Sequence, residues 1–126
     1  MSPPPDRRTI WFVAPFIMLL LCAALGLRNG PQELRIATTG GQQLAAWSEL
    51  GYGAFGLLGA LMFYQGRRTA MFLMIVWATL MTLTGALAPV VWGGASLPIG
   101  ILSAAGTAAV ATTVLQLARR ALRPVP

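Results

Sequence analysis

Histidine and lysine are absent from this 126-residue chain, and cysteine occurs once, at Cys22. A single thiol makes no internal disulfide, and without His or paired Cys neither a zinc nor a haem ligand set can be assembled. No metal and no cofactor are therefore expected. Acids are scarce too: Asp6, Glu33 and Glu49 are the only three. General acid–base and nucleophilic catalysis need positioned groups that such a composition hardly supplies. Phosphate loops, nucleophile elbows and paired carboxylates are likewise missing from the sequence. The expectation is a protein that is not an enzyme and has no catalytic residues.

Charge of either sign is rare, at 10% of residues, while 56% are hydrophobic and the mean hydropathy is +0.70. Soluble domains carry about a quarter charged residues, so water is not this chain's main solvent. From Thr69 to Ala118 fifty consecutive residues hold no Asp, Glu, Lys or Arg. The ~30 Å hydrocarbon core of a bilayer takes about 20 residues of helix, so that stretch holds two spans and a turn. The formal charge of +6 does not point to nucleic acid, because the arginines sit in small groups at the ends of apolar segments rather than as a patch on a soluble face.

The pattern predicts an all-α membrane protein, a four-helix transmembrane bundle. A disordered cytosolic tail is expected over 1–8, with its three consecutive prolines, and a single transmembrane domain over 9–118 with spans at about 9–27, 44–64, 69–88 and 97–118. Arg28, Asn29, Gly30 and Pro31 read as a stop, opening a polar external loop at 28–43. A basic cytosolic tail follows at 119–126. Arg7 and Arg8 before an apolar run also fit the start of a signal peptide, but the run is long for one and its cleavage options are poor. A lipoprotein reading of Cys22 fails on the preceding Leu21.

Orientation follows from the arginines. Arg7, Arg8, Arg67, Arg68, Arg119, Arg120 and Arg123 fall on one side, and only Arg28 and Arg35 on the other. Seven against two places both termini and the middle loop in the cytosol. The location expected is the inner (plasma) membrane, as a multi-pass protein. The use of Arg without Lys, amid many Ala and Gly, hints at a bacterial source.

One acid interrupts an apolar run. Glu49 lies early in the second span, roughly 6 Å below the outer boundary. A carboxylate near a helix N-terminus paired with Arg28 or Arg35 would need no further purpose. Its company argues for more: at 100° per residue Glu49, Gly53, Gly56 and Ala60 share one face. Small residues let membrane helices approach closely, so this stripe is expected to face another helix. The fourth span repeats the theme with Gly100, Ala104 and Ala108. Thr79 and Thr82 in the third span are expected to bond back to their own helix.

Two functions fit this pattern. One is a non-catalytic accessory or structural subunit that packs through its small-residue faces against copies of itself or a larger membrane complex. The other is an oligomeric proton- or cation-coupled transporter or channel that uses Glu49. The lipid bilayer is the one partner both readings share.

Overall fold

The structure, a computed structural model, describes residues 9–123. Four helices account for nearly all of them: α1 (Ile10–Ile36), α2 (Gly40–Tyr64), α3 (Thr69–Val91) and α4 (Leu97–Ala121). The 1–8 tail and residues 124–126 of the expected basic tail lie outside the described residues. Short connections make successive helices antiparallel. Each helix packs on the next, and α4 returns to α1, closing a four-membered ring. At 1.5 Å per residue the helices are about 35 to 40 Å long, more than the ~30 Å hydrocarbon core.

Three of the four, α1, α3 and α4, are long and apolar enough to cross a membrane. The exception is α2, whose 25 residues include Glu49 and six glycines that dilute its hydropathy. Its position compensates for this. Ten of its residues are buried, against four in α3, so it presents much of its surface to protein.

The stop expected at Arg28–Pro31 is overturned. α1 continues through Pro31 to Ile36, and only Ala37, Thr38 and Thr39 separate it from α2. The external loop at 28–43 is therefore mostly helix. Packing overrides the local breaker signal: Gly30 is buried so close to Leu50 that an added Cβ would stand 3.0 Å from the Leu50 Cβ. The third helix also overruns its expected end at 88, carrying Pro89 in its last turn. Its carbonyl then accepts the Gly93 and Ala95 amides to form the turn. Gly94 (φ 65°) there and Gly66 (φ 73°) between α2 and α3 occupy the left-handed region that favours glycine.

The tightest seam is between α1 and α2. An added Cβ on Gly26 would lie 2.8 Å from Gly53 Cα, and one on Gly53 would lie 2.8 Å from the Leu27 nitrogen. Here backbone touches backbone. Across the ring, Trp77 of α3 is fully buried beside Gly56, joined in the core by Leu19, Phe63 and Met74. Phe12 stacks on Phe63 with centroids 4.9 Å apart. Threonine hydroxyls are satisfied within their own helix: Thr79 donates to the Ile75 carbonyl at 2.9 Å and Thr82 to Ala78 at 2.8 Å. Thr84 reaches the Ser48 hydroxyl at 3.0 Å, joining α3 to α2.

The arginines concentrate at one end. Arg120 lies 3.9 Å from the centre of the Trp11 ring, tying the end of α4 to the start of α1, and Arg68, Arg119 and Arg123 line one cavity nearby.

Gly53→Leu should drive α1 and α2 apart and lower stability by about 1–3 kcal/mol, the usual range for overpacking. Gly106→Ala, where an added Cβ meets nothing within 4 Å, should be neutral or slightly stabilising. Thermal unfolding of the two variants in the same detergent checks the contrast.

Candidate functional site

The face of α1 that meets α2 is set by helical period. Cys22, Gly26, Asn29 and Glu33 recur at spacings of four, three and four, which keeps them within about 60° of one another. On α2 the same logic aligns Glu49 with Gly53. The close approach at Gly26 and Gly53 brings the two faces together, and the polar residues one to two turns beyond it meet. Glu49, 7% exposed, has the Glu33 carboxyl and the Asn29 side chain as its interaction partners. Tyr52, also buried, lies three residues on from Glu49 in the same helix.

The pairing with Arg28 or Arg35 that would have given Glu49 a purely structural role is not the arrangement seen. Among the described residues no arginine acts on its carboxyl, and Arg28 and Arg35 are both exposed. The neighbour is a second acid. Glu33 is half-buried, and its Oε2 atom is fully enclosed with no hydrogen-bond partner.

Sequence reasoning missed Glu33 because the Gly30–Pro31 pair assigned it to a loop. The signal that could have found it was present: continued through Pro31 at 100° per residue, α1 places Glu33 on the face of Gly26. The acid would then have stood out as the polar end of a packing face.

The small residues expected to contact another helix are consumed inside the chain. Gly53 and Gly56 are buried against α1, with Gly56 also against Trp77, and Ala60 is enclosed in the core. An added Cβ on Gly100 would meet the Ala86 carbonyl of α3 at 2.8 Å. Ala104 is half-buried and Ala108 lines the α3–α4 groove. Gly56→Leu would therefore act on the fold before it acted on any assembly.

Chemically the cluster offers carboxyl and amide oxygens, the donor set of a hard cation or a proton rather than of a soft metal. Two full negative charges about 4 Å apart repel by about 4 kcal/mol at an effective dielectric of 20. That is a large share of the roughly 5–15 kcal/mol that holds a domain together. A proton or a cation lying between two such groups removes that repulsion.

No family model, curated protein or solved structure matches the chain, so the reading of this cluster rests on its geometry.

Glu49→Gln supplies an amide that can donate to Glu33 as a protonated carboxyl would, and it should retain the stability of the parent. Glu49→Ala leaves the space empty and Glu33 without that partner, at a cost of about 1–3 kcal/mol. Thermal melts in detergent separate the two, and equal losses would show that the contact between the acids does not matter.

Proposed function

We propose that the chain is a four-span protein of the plasma membrane whose Glu33–Glu49 pair takes up a proton or small cation from the non-cytosolic side, as part of an oligomeric transporter or channel. The observation that carries this reading is that the buried acid at the α1–α2 seam faces a second carboxyl and, among the described residues, no arginine. A carboxylate kept for packing alone would be expected to find a base or to be replaced by a neutral residue, because an ionisable group at membrane depth costs several kcal/mol.

The orientation proposed puts both termini in the cytosol. Its support is the arginine count together with the gathering of Arg67, Arg68, Arg119, Arg120 and Arg123 toward the end of the bundle away from the acid pair. The positive-inside bias then directs the acids outward.

A second reading is supported by α4. Leu97, Ile101, Leu102 and Val110 are exposed along it, with Leu102 at 74%, while Gly100, Ala108 and Ala111 turn toward α3. This apolar face suits a helix of a larger membrane complex as well as it suits lipid, and it keeps an accessory, non-catalytic subunit as the alternative.

In a Cys22→Ser background, a thiol at Thr38→Cys should react with an impermeant reagent applied to intact cells, and one at Gln65→Cys only after permeabilisation. The reverse pattern would invert the orientation. In liposomes, the reconstituted protein should support proton or sodium flux that falls at least tenfold in Glu49→Gln and in Glu33→Gln. An inactive parent protein that co-purifies with a reproducible partner would replace the ion reading with the accessory one.

A further inference from the structure

We infer that the seam between α3 and α4 is a binding site for one anionic phospholipid, with its phosphate held by Arg68, Arg119 and Arg123 and an acyl chain lying along the helices. The inference rests on α3 and α4 crossing the bilayer, which their length and composition allow, and it does not depend on the acid pair.

The headgroup end is a cavity of about 290 Å³ lined by the three arginines, with Met71 and Leu122 as its apolar walls. Arg68 caps the start of α3, Arg119 lies in the last turn of α4 and Arg123 just beyond it, and all three line one space. Planar guanidinium groups match phosphate oxygens two at a time, and they do so without the strong hydration of an ammonium. No acid competes among the described residues lining it. Glu33 and Glu49 belong to the other end of the bundle, and Asp6 lies outside the described residues.

The chain end begins one helical turn further on. Ile75 follows Met71 by four residues on α3, and Leu115 precedes Arg119 by four on α4; both line a second, larger cavity of about 520 Å³. Its walls continue through Thr79 and Thr82 to Ala86, facing Ala111 and Ala108. The two threonine hydroxyls are turned to their own helix carbonyls, so the groove presents mostly carbon. From Ile75 to Ala86 the rise is about 17 Å, close to half of a ~30 Å hydrocarbon core and so about one leaflet. A site with three positive charges at the interface and an apolar trough one leaflet deep complements an anionic phospholipid. A zwitterionic lipid brings a cationic group into the same niche, and free phosphate leaves the trough unused. Basic pockets between membrane helices are suited to phosphate headgroups on general electrostatic grounds.

Native mass spectrometry of the full-length protein, delipidated and then exchanged into micelles doped with phosphatidylglycerol or phosphatidylcholine of identical chains, tests this. Phosphatidylglycerol should be retained at one copy per chain with at least a tenfold preference. Arg68→Gln combined with Arg123→Gln should cut that preference roughly tenfold or more, whereas Arg28→Gln at the opposite end should leave it unchanged. Thr112→Phe, at an exposed groove position, should weaken retention of long-chain phosphatidylglycerol and leave binding of inorganic phosphate as it was. An equal retention of both lipids by the parent, or an undiminished preference in the double arginine variant, would overturn the site. Phosphate binding with no lipid preference would assign the niche to a free anion and overturn the lipid assignment. Ion flux through the acid pair is read separately and is not moved by either result.

Discussion

The contact between the backbones of α1 and α2 at Gly26 and Gly53 is the constraint on which the rest depends. With no Cβ on either residue, the helices approach until each glycine touches the other's chain. Dispersion is strong at that range, and it is the main attraction available between helices in a bilayer, where hydrocarbon competes with any apolar side chain. The close seam has two results. It buries the α2 stripe inside the chain, and it presses together whatever polar groups lie just beyond it.

Those groups are Asn29 and Glu33 on one side and Glu49 on the other. Elsewhere the threonine hydroxyls of Thr79, Thr82, Thr84, Thr107 and Thr113 bond to their own helix backbone. A carboxyl cannot be quieted in that way, since it offers only acceptors when ionised and the carbonyls of a helix are acceptors too. The acid pair is thus a polar arrangement that helix geometry alone does not neutralise. The arginines pose no such difficulty. Toward the far end of the bundle Arg67, Arg68, Arg119, Arg120 and Arg123 are exposed, and Arg120 covers the face of Trp11.

Much of the fold was legible in the residues. Fifty uncharged positions from Thr69 to Ala118 required two long helices with a turn, and the structure supplies α3 and α4 with Gly94 in that turn. The clearest misreading was the end of α1. Gly30 and Pro31 are breakers by propensity, worth about 1 and 3 kcal/mol against Ala, yet Gly30 is also what lets α1 lie against Leu50. The same residue type marks a stop and a packing contact, and local sequence does not say which. Glu33 was lost with the loop it was assigned to, and half of the acid pair went with it.

Composition and period, acting through the cost of burying charge and backbone in hydrocarbon, determined the helical class, the sorting of arginines to helix ends and the alignment of Glu49 with Gly53, Gly56 and Ala60. These are properties of one helix and its solvent, so a linear sequence contains them. Tertiary structure decided which surfaces those stripes meet. It set Gly53 and Gly56 against α1 within the chain, and it set a carboxyl rather than an arginine beside Glu49. That choice depends on interhelical distance and register, which are fixed by the fit of Gly26 to Gly53 across a turn and are written in neither helix alone.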